Sequence, residues 1–439
     1  NVTWTNNFAS VSDTCGATGS ASVTFTATDD CGNASTTSAT FTIIDDTDPT
    51  ITTQASNLEV QCDGAGNTAQ LNAWLASNGG AVASDVCSNV TWTNNFASVS
   101  DTCGATGSAT VTFTATDNCG NASTTSATFT IIDDTDPTIT TQAANLEVQC
   151  DGAGNTAQLN AWLASNGGAM ASDVCSNVTW TNNFASVSDT CGATGSASVT
   201  FTATDNCGNS SSTTATFTII DNTNPTITTQ AANLEVQCDG AGNTAALNAW
   251  LASNGGASAT DVCSNVTWSN NFTSVSDTCG ATGSASVTFT ATDNCGNSSS
   301  TTATFTIIDN TNPTITTQAS NLEVQCDGNG NTAQLNAWLA SNGGASASDV
   351  CSNVTWSNNF TSVSDTCGAT GSASVTFTAT DNCGNSSSTT ATFTIIDNTN
   401  PTITTQASNL EVQCDGNGNT AALNAWLASN GGASATDVC

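Results

Sequence analysis

The sequence predicts a mainly β protein built of tandem immunoglobulin-like β-sandwich modules, each with one short α-helix, stacked as a rod. Three observations predict it. A block of 88 residues recurs five times in register, so that Cys62, Cys87, Cys103 and Cys119 return as Cys150, Cys175, Cys191 and Cys207. Within each block, apolar residues alternate with threonine over short runs bounded by Gly, Asn and Asp, the pattern of half-buried strands. One run per block shows i, i+3, i+4 spacing instead, which is the period of a helix.

Domains are expected to run from linker to linker: 48–135, 136–223, 224–311 and 312–399, flanked by part-modules 1–47 and 400–439. Asp48-Pro49 marks a handover, and each of the five prolines holds this position. Thr50-Ile51-Thr52 and Leu58-Glu59-Val60-Gln61 then alternate as strands. Asn67 is placed to cap a helix whose Leu71, Trp74 and Leu75 form one stripe, and Gly79-Gly80 ends it. Trp74 is expected in the core. Val90 to Thr93, Val111 to Thr116 and Ala127 to Ile131 complete a sandwich with Greek-key connections. At about 40 Å per sandwich, five modules would span on the order of 200 Å. The chain opens and closes inside a block, which leads us to expect a longer polypeptide.

The 439 residues include 35 Asp and Glu and no Lys, Arg, His or Tyr. Without a basic patch there is nothing to replace phosphate counterions, so nucleic acid is excluded as a partner and an anionic membrane is disfavoured. General acid-base and nucleophilic catalysis lose most of their usual groups, leaving paired carboxylates of the glycosidase kind. Residues 1–87 and 89–175 differ only at Ser22/Thr110, Asp30/Asn118, Ser56/Ala144 and Val82/Met170. Near-identical copies serve repetition, whereas an enzyme needs one singular constellation; the expectation is a non-enzyme. Twenty cysteines, four per block, point to disulfides in an oxidising compartment, and hence to an extracellular, cell-surface protein. Their gaps of 25, 16, 16 and 31 residues are unlike the close pairs of zinc sites. No secretory signal and no run of 18 apolar residues is present.

Geometry ranks the pairings. If the strand from Val111 to Thr116 runs from bottom to top, Cys119 lies at the top and Cys103 at the bottom, roughly 30 Å away and beyond a disulfide. With the helix replacing an upward strand, Cys62 lies below and Cys87 above. The preferred pairs are Cys62 with Cys103 and Cys87 with Cys119. By the period these recur as Cys150 with Cys191, Cys175 with Cys207, Cys238 with Cys279, Cys263 with Cys295, Cys326 with Cys367, and Cys351 with Cys383. The rival scheme, Cys62 with Cys119 and Cys87 with Cys103, stays open.

The run VTFTATDNCGN from Val111 to Asn121, followed by a strand and an Asp-Thr-Asp-Pro linker, resembles the hyalin-repeat class of immunoglobulin-like modules. The resemblance covers every repeat, with the ATD-x-x-GN turn as its strongest element; the helix LNAWLASNGGA departs from the all-strand pattern. It implies the stalk of a surface adhesin or extracellular filament, of the kind Bacteroidetes export by the gliding-associated (type IX) route.

The acids occupy fixed places in each block. Structural calcium is expected at the junctions, where it would stiffen the joint and offset repulsion. Candidate ligands at the domain ends are Asp45, Asp133, Asp221, Asp309 and Asp397, with Asp136 in the linker. Asp85, Asp173, Asp261, Asp349 and Asp437 precede a cysteine by two, and Asp117, Asp205, Asp293 and Asp381 sit in the ATD turn. The competing reading makes these turn residues that bond nearby backbone amides. Asp134 and Asp136 become Asn222 and Asn224 and stay Asn thereafter, so later joints are expected to bind less tightly. A second functional class is an array presenting threonine faces to glycans or ice, for which exposed indoles would be the mark. Asn89, Asn271 and Asn359 begin N-glycosylation matches. Lysine-based isopeptide staples are excluded by composition. Expected partners are neighbouring repeats, identical chains in a filament, and a surface glycan.

Overall fold

The computed structural model describes residues 1–364 and 366–439. Residues 1–221 and 222–439 form two compact units. The first holds a part-module of strands Val2–Asn6, Ser12–Asp13, Gly19–Asp29 and Ala34–Ile43, and then two complete modules. The second holds two more complete modules and a part-module with helix Thr420–Ala428.

Over residues 48–135 the order is β1 (Thr50–Thr53), β2 (Leu58–Gln61), α1 (Thr68–Ala76), β3 (Val82–Ser84), β4 (Thr91–Asn94), β5 (Gly107–Thr116) and β6 (Ala122–Ile132). The antiparallel pair β5 and β6 is the spine, with Val111 opposite Ala127 and Ala109 opposite Phe129. Alternation decides which face goes inside: Val111, Phe113, Ala115, Ala127, Phe129 and Ile131 are buried. The opposite face is a hydroxyl ladder, in which Thr110 meets Thr128 at 3.0 Å and Thr112 meets Ser126 at 2.9 Å.

The four-stranded sheet runs β2-β6-β5-β4. β2 pairs parallel with β6, Leu58 opposite Phe129. That pairing returns the start of the module to its end, and the Cys62 amide donates to the Ile132 carbonyl at 2.8 Å. The second layer is α1 together with the two-stranded ribbon of β1 and β3. Trp74 is only 5% exposed. Its ring stands edge-on to Phe113 at 5.3 Å and 5.7 Å from Phe129, while Nε1 donates to the Ser56 carbonyl at 3.0 Å. The module is thus sandwich-like, with a helix where strands of a second sheet would lie.

Asn67 precedes the helix as expected but does not cap it with its side chain. Buried in left-handed backbone, it donates from Nδ2 to the Gln61 carbonyl at 2.8 Å and tethers the helix start to β2. At the other end Gly79 has φ +64°, and a Cβ there would stand 3.0 Å from the Phe113 ring. Among the described residues, no helix is long and apolar enough to cross a membrane.

Candidate functional site

The chemistry of the chain gathers where one module meets the next. Cys62 bonds Cys175 and Cys103 bonds Cys207, with Cα atoms 6.0 and 5.3 Å apart. Cys238–Cys351 and Cys279–Cys383 repeat the pattern in the second unit. The outer junctions carry Cys15–Cys119 and Cys326–Cys439. Cys150, Cys191, Cys263 and Cys295 are disulfide-bonded as well.

These bridges overturn the pairing within modules, both as Cys62 with Cys103 and Cys87 with Cys119 and as its rival. They equally exclude Cys175 with Cys207, Cys238 with Cys279, Cys326 with Cys367, and Cys351 with Cys383. The reason is what each cysteine faces. Cys62 and the Cys103 loop do share one end of the module, with Cys62 Sγ 3.7 Å from the Ala105 carbonyl. That end abuts the next module, whose Cys175 carbonyl accepts the Ala105 N–H at 2.8 Å. A bridge is built toward the neighbour, one period away.

The approach is close enough to demand glycine. Gly104 has φ +59°, and a Cβ there would lie 2.5 Å from the Cys175 carbonyl oxygen; one on Gly64 would lie 2.6 Å from that of Val174. Sequence reasoning missed both, because the only mark they leave is a glycine beside a cysteine or one residue removed from it.

Carboxylates meet at the same boundary. Asp133 Oδ1 accepts from Gln61 Nε2 at 3.3 Å and from the Thr135 hydroxyl at 2.7 Å. Its Oδ2 is buried with no hydrogen-bond partner, as are those of Asp45 and Asp309. Ligand atoms of Asp133, Asp173 and Cys175 lie within 4.8 Å of one another, and Asp309, Asp349 and Cys351 repeat the group. Cys175 and Cys351 are spent in disulfides, so the two carboxylates are what remains for a cation. Asp45, Asp85 and Cys87 form a third group. There Cys87 is unpaired, and burial, helped by the charges of Asp45, Asp85 and Asp117, pushes its thiol pKa up.

The remaining acids are engaged locally. Asp205 Oδ1 accepts the Gly208 and Asn209 amides and Oδ2 accepts Asn209 Nδ2 at 2.8 Å. Burial alone would raise the pKa of Asp117 and Asp205, but hydrogen bonds from the Asn121 or Asn209 side chain and the turn amides outweigh it, and both are lowered. Asp293 and Asp381 bind Asn297 and Asn385 in the same way. Asn209 Nδ2 also donates to the Asp133 carbonyl at 3.1 Å, so this turn docks on the linker without offering its carboxylate. Asp85, Asp173, Asp261 and Asp349 accept the amides of the cysteine two residues on. Asp136 accepts the Ser210 amide, Asp221 accepts from Gln149, Asp397 from Thr399, and Asp437 from the Val438 amide. Where Asn310 and Asn312 stand at the positions of Asp134 and Asp136, Asp309 and Asp349 still come together. The Asn271 and Asn359 carboxamides accept strand amides of Thr288 and Thr376, each at 2.8 Å.

No family model and no curated protein matches the chain. Solved structures do. The protocadherin GammaB4 extracellular domain is 12% identical, with 90% of this chain and 74% of that one covered at a TM-score of 0.35. The human desmocollin-1 ectodomain is 11% identical over 90% and 87% of the two chains, with a TM-score of 0.20. Drosophila N-cadherin EC1-4 is 11% identical over 78% and 100%, with a TM-score of 0.20. Nothing about binding or assembly carries over from them at these values.

Proposed function

We propose that this chain is the structural repeat region of a secreted surface adhesin or extracellular filament, a stalk whose modules are locked to one another. The observation that carries this reading is the pair of disulfides crossing from one module into the next at two junctions. Each closes a loop of 104 or 113 residues. A loop of that size is worth about 5 kcal/mol in the chain-entropy account, and such bridges persist outside the reducing cytosol. The hyalin-like ATD-x-x-GN turn supports an adhesin of the Bacteroidetes kind. Burial of Trp74, Trp162, Trp250 and Trp338 favours a stalk over a glycan-binding array, which would display its indoles.

The orphaned Oδ2 of Asp133, facing Asp173 in a chain without basic side chains, supports a calcium ion at the junction. A buried carboxylate oxygen without a partner is costly, and hard oxygen donors suit calcium. Asp133 and Asp173 would hold it and so lose their mutual repulsion.

Imaging oxidised and reduced chains by negative stain tests the stalk: oxidised particles should be straight rods near 200 Å long, at about 40 Å per module. Equally broad angles between modules in both samples would sink it. Heating the array with and without a chelator tests the ion. A lower melting point in chelator is expected, and no difference would remove calcium from the account.

A further inference from the structure

The bridges overlap along the chain. Every peptide bond from Cys103 to Cys175 lies inside both the Cys62–Cys175 and the Cys103–Cys207 loops, and bonds from Cys62 to Cys103 lie inside Cys15–Cys119 and Cys62–Cys175. The second unit repeats the overlap, since bonds from Cys279 to Cys351 lie inside Cys238–Cys351 and Cys279–Cys383. A linker sits in the middle of the doubly spanned stretch. Its Asp134, Thr135 and Asp136 are exposed and outside any strand, which leaves their backbone open to attack. A cut there takes nothing from either neighbouring module. On one side β6 keeps β2, with Leu58 opposite Phe129; on the other Leu146 stays opposite Phe217 and Thr138–Thr141 stays paired with Met170–Ser172. The joint keeps contacts that do not run through the linker backbone: the Ala105 amide donates to the Cys175 carbonyl at 2.8 Å, and Asn209 Nδ2 donates to the Asp133 carbonyl at 3.1 Å.

We propose that these overlapping bridges make the stalk tolerant of backbone cleavage by secreted endoproteases. Proteases that cut after Lys or Arg find no site in this chain. For the rest, hydrolysis of one linker bond consumes one water, ends the C–N bond as a carboxylate and an amine, and leaves the two sides joined by two disulfides. Force then passes from Cys62 to Cys175 and from Cys103 to Cys207 in place of the lost backbone. This deepens the stalk reading and rests on it for its purpose alone, since the covalent claim follows from the bridges.

The 439-residue chain carries its own selective cleavage sites, the two Asp–Pro bonds at Asp48-Pro49 and Asp136-Pro137. Such bonds hydrolyse in warm dilute acid, because the aspartyl carboxyl attacks its own carbonyl carbon and the basic proline nitrogen leaves. Disulfides outlast the treatment, since exchange needs a thiolate. The oxidised chain, cut to completion and returned to neutral pH, should keep its 43.8 kDa band without reductant and give fragments 1–48, 49–136 and 137–439 with it. The control is Asp48→Asn with Asp136→Asn, which copies the Asn-Pro of the later linkers and passes through the acid uncut. Cut and control chains should melt within about 5 °C of each other. Losing one bridge, by Cys62→Ser with Cys175→Ser, should leave the fragments joined. Losing Cys103→Ser and Cys207→Ser as well should release 137–439 without reductant. Release from the chain with all its cysteines, release after the loss of one bridge, fragments still joined after the loss of both, or a cut chain melting more than about 5 °C lower would each overturn the proposal. Fragments that part while uncut oxidised rods stay straight in negative stain would leave the stalk reading standing.

Discussion

Pulling on the chain should reveal a short covalent route that bypasses most of its backbone. Cys15 and Cys207 are 192 residues apart (207 − 15), yet a force path can cross from Cys15 to Cys119, return 16 residues to Cys103, and cross to Cys207. Sixteen residues extend to about 55 Å at 3.3–3.6 Å each. The two bridges add Cα separations of 5.2 and 5.3 Å, so this stretch cannot exceed about 65 Å however completely the modules unfold. With the bridges reduced, the same stretch reaches about 650 Å. Optical tweezers on the full chain, with handles at enzymatic tags on both termini, read the difference directly. Adding a reductant should lengthen the fully unfolded chain by at least about 590 Å from this stretch alone. A lengthening less than half as large would refute the reasoning, since bridges confined within modules release only the short loops they close, and absent bridges release nothing.

Two further outcomes follow from the junction. Gly104→Ala puts a Cβ 2.5 Å from the Cys175 carbonyl in left-handed backbone. It should destabilise the joint by about 1–3 kcal/mol and lower the yield of the Cys103–Cys207 bridge during refolding, measured by thermal melting and disulfide mapping. Asp117, Asp205 and Asp293 have folded pKa values below the ordinary 3.8, so their contribution is fully present above that pH and is lost as pH falls through the folded values. Melting points should therefore stay level from pH 7 to 5 and fall below about pH 4, with the acid fall shallower in Asp205→Asn; an unchanged profile in that variant counts against the turn as its source.

Much of the module was legible in the chain because its signals are local. Threonine alternation placed Val111, Phe113 and Phe129 inside, and helical spacing placed Trp74 over them, since the side-chain direction of a strand or helix follows from its own period. The parallel return of β2 onto β6 was not legible, for two short alternating runs carry no mark of their relative direction. The fate of the acids was half legible: Asp117 beside Asn121 reads as a turn, but the orphaned Oδ2 of Asp133 depends on what the neighbouring module brings near it.

The sequence by itself determined that there is one module, that it is repeated, that the long strands bury one face and that cysteines sit at both module ends. Only the tertiary structure decided which cysteine types bond, Cys62 with the equivalent of Cys87 and Cys103 with the equivalent of Cys119, and in which copy the partner lies. Cysteines recurring every 88 residues look the same whether separated by 25 or 113 residues, or by 16 or 104, and a repeat cannot show in its own text which copy its ends touch. Contact across the boundary breaks that degeneracy, because a disulfide needs two Cα atoms within about 7 Å and the nearest partner of Cys62 belongs to the next module.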